Sequence, residues 1–334
     1  SILDSTFVYY YLKYAKNIAE KYASGTTFKE LSAKAFSKLP IKLAPLSEQR
    51  AIVSKIEQLF SELDNGIANL KTAKGKLKVY RQAVLKKAFE GELTKEWRNC
   101  RNYDEWESIN ISKIGKILTG NTPSKKNRDY YSSNEYNFYK PTDLKAGNIV
   151  LTSIDGLSTK GFEAGRQVPE DSILVTCIGA TIGKTGLIKK KGCFNQQINA
   201  IIPYKEYNPK FIYYQAISVD FQKKIKRNAS STTLPIINKG KFSKLTMKVC
   251  SLYQQIQIVQ EIETRLSICD KIMSIIDENL EKAKALRQSI LKKAFEGRLL
   301  NDEELKFCQK ESDWEPAAKL LERIKNPKKT NNTK

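Results

Sequence analysis

The segment that decides the fold is AVLKKAFEGEL at Ala83–Leu93, which returns 206 positions later as SILKKAFEGRL at Ser289–Leu299, with eight of eleven residues identical. Further matches lie upstream: FSKL at Phe36 and Phe242 under the same shift, and FVYYYL at Phe7 with FIYY at Phe211 under a shift two residues shorter. Short periods of about 20 to 50 residues indicate solenoids, whereas a period this long indicates a duplicated domain with a connector. The sequence therefore predicts two equivalent halves.

Hydrophobic residues recur every seven positions ahead of each copy of the repeated segment. Heptads sustained over this length are typical of coiled coils. We predict long helices within residues 46–93 and 251–300, each about 65 Å long at 1.5 Å per residue. Each helix is expected to stop before Gly91 or Gly297, because glycine readily adopts the left-handed conformation at a helix end. The predicted interface residues are Ile56, Phe60, Leu63, Ile67, Leu70, Leu77 and Val84 in the first helix and Ile262, Leu266, Met273, Ile276, Leu280 and Ile290 in the second.

The relative direction of the two helices follows from connectivity. The region between them joins the end of the first helix to the start of the second. An antiparallel pair places those two points side by side, whereas a parallel pair would force the intervening region to span the whole length. Short connections are favoured, so we predict that the long helices form an antiparallel coiled coil.

Residues 107–250 have a different pattern. Short β-branched runs, such as Ile173–Ile178 and Ile198–Pro203, are separated by glycine, asparagine, proline and serine. This pattern predicts a globular domain with a β-rich core, and therefore an α+β fold for the chain. The other parts are the C-terminal portion of a first such domain at residues 1–45, a linker at 94–106, and a tail at 301–334 with a short helix at Pro316–Ile324.

The charge of the chain favours a polyanionic partner. The formal net charge is +22 and the isoelectric point is near 9.5. Residues 107–250 hold 23 lysines and arginines against 10 acidic residues, so more than half of the excess lies in the predicted globular domain. Binding to phosphates releases condensed counterions, which makes a nucleic acid the expected partner.

Several classes of protein are disfavoured by composition. The chain has no histidine, which excludes Ser-His or Cys-His catalysis, HNH-type nucleases and His-ligated metals. Its six cysteines lie far apart without a CxxC pair, so we expect reduced thiols in the cytoplasm rather than a disulfide scaffold or zinc site. No apolar run approaches the roughly 18 residues of a membrane span, and the first residues do not resemble a signal peptide.

Two motifs that suggest catalysis fail on closer inspection. The sequence GATIGKT at Gly179–Thr185 is one residue short of a phosphate-binding loop, and a strand-like run follows where a helix should begin. We interpret it as a turn. The sequence NPKF at Asn208 resembles the NPPF of amino-methyltransferases, but it lacks the second proline and no glycine-rich cofactor loop precedes it. A helix cap with a first-turn proline explains it.

Basic and amide side chains in the middle domain are candidate DNA contacts. TGNTPSKKNR at Thr119–Arg128 is a polar loop dense in phosphate donors, and Asn195-Gln196-Gln197 offers amides of the kind that pair with adenine in the major groove. The candidate DNA-binding residues are Thr122, Ser124, Lys125, Lys126, Arg128, Tyr139, Lys140, Lys184, Asn195, Gln196 and Gln197.

These features together resemble the specificity subunit of type I restriction-modification systems. The similarity rests on PLSEQRAIV at Pro45–Val53, on the heptad helix that closes with LKKAFEGEL, and on the second copy of both. TGNTPS, YKPTDL, GATIGKTG and NQQINAI in the middle domain resemble the target recognition domains of that family. The chain departs from the family in carrying one such domain and only the tail of another.

The resemblance implies a subunit that binds double-stranded DNA and itself catalyses no reaction. Each half would bind a methyltransferase subunit, and motor-nuclease subunits would join for restriction. S-adenosylmethionine, ATP and magnesium would belong to those partners, and this chain would need no cofactor. The paired helices would act as a ruler between two half-sites.

Three hypotheses follow for the function. The first is a DNA-reading specificity subunit whose middle domain recognises one half-site and whose long helices set the spacing and dock the methyltransferase. The second is a stand-alone DNA methyltransferase or nuclease, which requires a cofactor or metal constellation that the sequence does not provide. The third is a basic coiled-coil scaffold that binds nucleic acid without reading its sequence, which leaves the elaborate middle domain unexplained.

Overall fold

The computed structural model describes residues 2–25, 29–99, 106–144, 149–230 and 234–326. It confirms the α+β fold class. The helices are α1 (Ser5–Tyr14), α2 (Lys16–Tyr22), α3 (Ala33–Phe36), α4 (Leu46–Phe89), α5 (Lys95–Asn99), α6 (Ile111–Ile114), α7 (Thr159–Ala164), α8 (Pro209–Ala216), α9 (Val219–Asn228), α10 (Lys239–Ser243), α11 (Leu252–Phe295), α12 (Asp302–Cys308) and α13 (Ala317–Lys325). The strands are β1 (Glu107–Asn110), β2 (Gly115–Thr119), β3 (Tyr136–Tyr139), β4 (Ile149–Val150), β5 (Asp155–Leu157), β6 (Gln167–Val168), β7 (Ile173–Thr176), β8 (Thr185–Ile188), β9 (Gly192–Phe194), β10 (Ile198–Pro203) and β11 (Thr246–Val249).

The chain divides into two compact units. Unit 1 comprises Ser1–Gly75 and Ile272–Lys334, and unit 2 comprises Lys76–Lys271. Each unit therefore contains a part of both long helices. Within the described ranges, no helix has the length and apolar character needed to cross a membrane.

The long helices α4 and α11 begin and end at equivalent positions of the repeat. Beyond their last residues, Gly91 and Gly297 adopt the left-handed φ values of 82° and 77° expected at a helix end. Within unit 1, Asp64 pairs with Arg287 and Lys74 pairs with Asp277, so an advance of ten residues along α4 is a retreat of ten along α11. The predicted antiparallel coiled coil is confirmed.

The same pairing register continues in unit 2, where Arg81 forms an ion pair with Asp270. Under the repeat shift of 206, Arg81 corresponds to Arg287 and Asp270 to Asp64. One ion pair has therefore been kept in both halves of the duplicated sequence. Because each helix carries the aspartate closer to its N-terminus than the arginine, opposite charges meet only in the antiparallel arrangement.

The predicted coiled-coil residues differ in burial. The fully buried ones are Ile56, Phe60, Val84, Ile262, Leu266, Ile276 and Ile290. The half-buried ones are Leu63, Ile67, Leu70, Leu77, Met273 and Leu280. Burial is greatest where a third helix covers the pair, as α1 does in unit 1 through Phe7, whose ring centroid lies 5.1 Å from that of Phe295. The equivalent contact in unit 2 joins Phe211 of α8 to Phe89 at 5.4 Å.

A buried glutamine fixes the start of α4 in unit 1. Gln49 is fully buried, and its side-chain amide donates to the carbonyls of Ile2 at 3.0 Å and Ala44 at 2.8 Å. Its Oε1 accepts from the backbone N–H of Asp4 at 2.9 Å. Asp4 in turn caps α1 by accepting from the Phe7 N–H. One side chain thus joins the N-terminus of α1 to the segment that leads into α4.

Gln255 forms the same three contacts in unit 2. Its amide donates to the carbonyls of Cys250 at 2.8 Å and Glu206 at 3.4 Å, and its Oε1 accepts from the Asn208 N–H at 2.8 Å. Asn208 caps α8, as the sequence predicts. Glu206 and Asn208, which lie before α8, match Ile2 and Asp4 under a shift of 204. Cys250 and Gln255, which lie at the start of α11, match Ala44 and Gln49 under a shift of 206. The two-residue slip in the repeat therefore falls between these two segments.

The described residues of the middle domain, all within unit 2, form three sheets. The strand orders are β2-β10-β7-β8-β4, β5-β3-β9-β6 and β1-β11. Strand β10 lies between β2 and β7 and is antiparallel to both. The last sheet pairs Glu107–Asn110 with Thr246–Val249, so the two ends of the domain meet.

The segment after α11 is more ordered than a tail. Helix α12 starts with a capping box between Asn301 and Glu304. Lys55 of α4 pairs with Glu304 at 2.7 Å, and Arg50 pairs with Asp313 at 2.7 Å. The predicted helix at Pro316–Ile324 corresponds to α13, and residues 327–334 lie outside the described residues.

Candidate nucleic-acid interface

The strand register of the five-stranded sheet brings three of the predicted motifs together. Thr119, at the end of β2, lies opposite Asn199, and Thr176, at the end of β7, lies opposite Ile198. The loop after β2, the turn after β7 and the amide segment before β10 therefore leave the sheet at one edge. We call this edge, comprising residues 119–128, 177–184 and 195–197, the motif edge.

Side-chain and backbone hydrogen bonds hold the motif edge. The Thr122 hydroxyl donates to Oε1 of Gln196 at 2.6 Å. The Asn121 N–H donates to the Phe194 carbonyl at 3.0 Å. Both Thr122 and Gln196 are exposed, and the Gln196 amide nitrogen forms no hydrogen bond with the described residues. A glutamine held by its oxygen presents its N–H₂ outward as a donor.

Asn195 is nearly buried and orients the side chain of a neighbouring glutamine. It is 8% exposed, and its Nδ2 donates to Oε1 of Gln197 at 3.0 Å. Its Oδ1 accepts from the Gln197 N–H at 3.2 Å. The polar atoms of Asn195 orient the half-buried Gln197, so the structure places Asn195 behind this neighbour rather than at the surface.

The segment from Cys177 to Lys184 is a turn between β7 and β8, as interpreted from the sequence. Gly179 and Gly183 have φ values of 101° and 88°, which disfavour other residues. The Cys177 N–H donates to the Gln197 carbonyl at 2.7 Å, which joins the turn to the amide segment. Lys184 is exposed and forms no ion pair within the part of the chain that the structure describes.

The loop after β2 presents three cations. Its base is fixed by the Tyr131 hydroxyl, which donates to the carbonyl of the buried Pro123 at 2.7 Å. The exposed side chains beyond that point are Ser124, Lys125, Lys126 and Arg128. None of these three cations pairs with a carboxylate of the described residues, whereas neighbouring Asp129 pairs with Lys160 at 2.9 Å. Unpaired cations on an anchored loop can bind phosphates without first breaking an ion pair.

Two other candidates lie beside the motif edge, where the Asn195 N–H donates to the Tyr139 carbonyl at 3.1 Å, but their side chains are not freely exposed. Tyr139 is 0% exposed, because β3 lies between β5 and β9. Its hydroxyl donates to the Lys190 carbonyl at 2.8 Å, and burial raises the pKa of Tyr139 to about 12. Tyr139 is therefore a core residue, which corrects the prediction that it contacts DNA. Lys140 is half-buried in an ion pair with Asp155.

Sequence reasoning missed one cation beside the motif edge. The side chain of Asn121 accepts from the Arg166 N–H and donates to the Ala164 carbonyl, which ties residues 164–166 to the loop after β2. Arg166 is exposed and has no ion-pair partner among the described residues. No local signal marks it, because the contact joins residues 45 positions apart.

The acidic and cysteine side chains of the described residues are the remaining candidates for metal binding or nucleophilic chemistry. No group of three or more cysteine, aspartate or glutamate side chains there could hold a metal ion. Cys177, Cys193, Cys250, Cys269 and Cys308 are free thiols, and Cys100 lies outside the described residues. Burial raises the pKa of Cys177, Cys193 and Cys250 to about 12, so these thiols are poor nucleophiles.

Known proteins are similar to this chain in sequence and fold. The chain is 26% identical over 340 residues to the EcoKI specificity subunit of Escherichia coli K12, covering 97% of this chain and 72% of that protein. It is 31% identical over 197 residues to the HindI specificity subunit of Haemophilus influenzae, covering 58% of this chain and 42% of that protein. Both relatives are type I restriction enzyme subunits by name.

Two solved structures share the fold. The HsdS subunit from Thermoanaerobacter tengcongensis superposes with a TM-score of 0.57 at 18% identity, covering 89% of this chain and 71% of that one. A chain solved in work on complex assembly and conformational transition of the type I R-M system gives a TM-score of 0.69 at 17% identity, covering 88% of this chain and 71% of that one. A family model described as the type I restriction modification DNA specificity domain matches residues 1–72 and 103–282. The chain therefore belongs to the type I restriction modification DNA specificity family.

Proposed function

We propose that unit 2 reads one half-site of double-stranded DNA through the motif edge, as the DNA-recognising part of a type I restriction-modification complex. The observation that carries the proposal is the strand register of β2, β10 and β7, which gathers an outward-facing glutamine amide and unpaired cations at one edge. Base-edge contacts specify sequence, and phosphate contacts position the protein.

Two kinds of contact have separate roles in this proposal. Gln196 and Gln197 supply amides that can pair with a base edge in the major groove. Lys125, Lys126 and Arg128 contact phosphates, with Lys184 and Arg166 beside them. Methylation and cleavage belong to methyltransferase and motor-nuclease subunits, which also hold S-adenosylmethionine, ATP and magnesium. This chain is non-catalytic and works in the cytoplasm, where its scattered thiols stay reduced.

Selection from random DNA tests the reading of sequence. We expect the chain, assembled with its methyltransferase, to enrich one short motif from a pool of random duplexes over several rounds. The affinity for that motif should exceed the affinity for random DNA by at least about a thousandfold at physiological salt. Equal retention of all sequences would contradict the proposal, and methyl transfer by this chain alone would favour an enzyme instead.

We further propose that the pair of long helices in unit 1 docks a helix of the methyltransferase. A groove of about 640 Å³ runs between α4 and α11, and its walls are mainly apolar, including Leu63, Ile67 and Leu286. Leu286 is 51% exposed and Ile275 is 56% exposed. At 100° per residue these two side chains lie within about 20° of each other around α11. Exposed apolar side chains beside an apolar groove are typical of helix-in-groove recognition.

Introducing charge into this groove, and at Ile275 on the same face of α11, should prevent assembly. We expect Leu286→Asp combined with Ile275→Asp to abolish co-purification with the methyltransferase, because two carboxylates would have to be buried without partners. Gln288→Asp is the matched control, since Gln288 is exposed on the opposite face of α11. Both variants should keep the circular dichroism of the parent chain. Undiminished co-purification of the double variant would exclude this groove as the docking site.

A further inference from the structure

The chain beyond α9 places an exposed leucine at the motif edge. The side chain of Leu234 is 51% exposed. The backbone next to it is fixed, because the Gly179 N–H donates to the Pro235 carbonyl at 2.9 Å and the Ile237 N–H donates to the Cys177 carbonyl at 2.9 Å. This segment therefore pairs with the turn after β7 and holds the leucine beside it.

A glutamine amide lies close to this leucine. From the position that a Cβ on Gly179 would take, the Nε2 of Gln197 is 3.6 Å away and the Cδ1 of Leu234 is 4.0 Å away. Glycine leaves that position without a side-chain carbon, and its φ of 101° disfavours other residues there. The motif edge therefore carries a polar and an apolar group close to each other on either side of a glycine.

The amide presents a donor of hydrogen bonds. The Oε1 of Gln197 accepts from the Nδ2 of Asn195 at 3.0 Å, whereas Nε2 forms no hydrogen bond with the described residues. An amide that is held by its oxygen directs its N–H₂ group away from the residue that holds it. The pair consists of one N–H₂ donor and one exposed aliphatic side chain.

Thymine is the base whose major-groove edge matches this pair. It presents the O4 acceptor together with the C5-methyl group. Cytosine presents an N4–H₂ donor where thymine has O4, and guanine and adenine carry no methyl group. A donor next to an aliphatic side chain therefore distinguishes thymine from the other three bases.

We propose that Gln197 and Leu234 recognise a thymine of the half-site, with the amide donating to O4 and the leucine contacting the C5-methyl group. The inference rests on the proposed function of unit 2 and deepens it, because it names one base of the target. It also assigns Leu234, which the sequence does not mark, as a specificity-determining residue.

Replacing thymine by deoxyuridine removes only the methyl group and tests the apolar contact. The chain, assembled with its methyltransferase, is titrated with duplexes of the enriched motif in which each thymine is replaced in turn. One replacement should weaken binding about fourfold, which corresponds to one buried methyl group. If a motif is enriched but contains no thymine in either strand, or every replacement is neutral, this inference fails and the proposed function stands. If no motif is enriched, both fail.

A variant of the leucine shows whether this residue senses the methyl group. Leu234→Ala should bind the enriched motif about fourfold more weakly and should no longer distinguish thymine from deoxyuridine at that position. Leu151→Ala is the matched control, because Leu151 is 60% exposed and follows β4, which runs parallel to β8 and away from the motif edge. The control should keep the full response to deoxyuridine. A Leu234→Ala chain that still responds to the methyl group would overturn the proposal.

Reversing the hydrogen-bonding character of the amide tests the contact with O4. In Gln197→Glu, Asn195 can still donate to one carboxylate oxygen, but the other oxygen accepts where the amide donated. The preference at this position should change from thymine to cytosine, by at least about tenfold in relative affinity. Gln260→Glu adds the same charge at an exposed position of α11 and should keep the preference for thymine. An unchanged preference in Gln197→Glu would also overturn the proposal.

Discussion

Replacing Gln255 by alanine should lower the free energy of unfolding of unit 2 by about 3–4 kcal/mol. The fully buried amide serves the Asn208 N–H and the carbonyls of Cys250 and Glu206, and alanine leaves all three without a partner. An unsatisfied buried backbone group costs about 1–3 kcal/mol, and the 3.4 Å contact to Glu206 contributes least. Urea unfolding followed by tryptophan fluorescence measures the change.

The control for this prediction lies on the same helix. Gln260 is exposed, so Gln260→Ala should change the unfolding free energy by less than about 0.5 kcal/mol. Gln49→Ala should destabilise unit 1 as Gln255→Ala destabilises unit 2, because Gln49 forms the equivalent three hydrogen bonds. If Gln255→Ala unfolds at the same urea concentration as the parent chain, the hydrogen bonds of Gln255 do not contribute to the free energy of unfolding of unit 2.

Removing the three cations of the loop after β2 should reduce DNA affinity about a hundredfold at physiological salt. Each phosphate contact contributes about 0.9 to the slope of log K against log salt, so the variant Lys125→Ala, Lys126→Ala, Arg128→Ala should lose about 2–3 from that slope. The preferred sequence should stay unchanged, because phosphate contacts carry no base information. Titrations at several salt concentrations measure both quantities.

Two further variants separate the roles in this prediction. Lys113, Lys116 and Lys205 are exposed at the opposite end of β2 and β10, so replacing them by alanine removes the same charge away from the motif edge. That variant should keep most of the salt slope. Gln196→Ala should instead keep the slope and relax the sequence preference. If the triple variant at residues 113, 116 and 205 weakens binding as much as the loop variant, the DNA lies elsewhere on unit 2.

The long helices could be predicted because their signal is local and repeated. The heptads define the apolar stripe along which the helices pair, the repeated LKKAFEG segment lies at the C-terminal end of each helix, and connectivity fixes their direction. The motif edge was partly predictable, since turn residues and cations indicate loops. Its assembly was not predictable from local sequence, because it depends on the register of Thr119 with Asn199 and of Ile198 with Thr176.

The residues that the sequence placed wrongly or did not indicate have physical reasons as well. Tyr139 beside Lys140 has the pattern of an exposed basic and aromatic pair, but β3 lies between β5 and β9, and both Phe138 and Tyr139 are buried there. Gln49 and Gln255 look like surface residues of an amphipathic helix, and only their equivalence under the repeat distinguishes them. Arg166 reaches the motif edge through Asn121, a contact that no short window of sequence contains.

The division of the chain into units has a consequence for synthesis on the ribosome. Unit 2 is one continuous stretch, Lys76–Lys271, so all its parts are available before translation ends. In unit 1, Phe7 and Phe60 pack against residues that follow Ile272. Their rings therefore stay exposed to solvent while about 200 intervening residues are synthesised at about 5–20 residues per second. The nascent segment that holds Phe7 and Phe60 is therefore a part of the chain that chaperones would have to shield, for on the order of ten seconds or more.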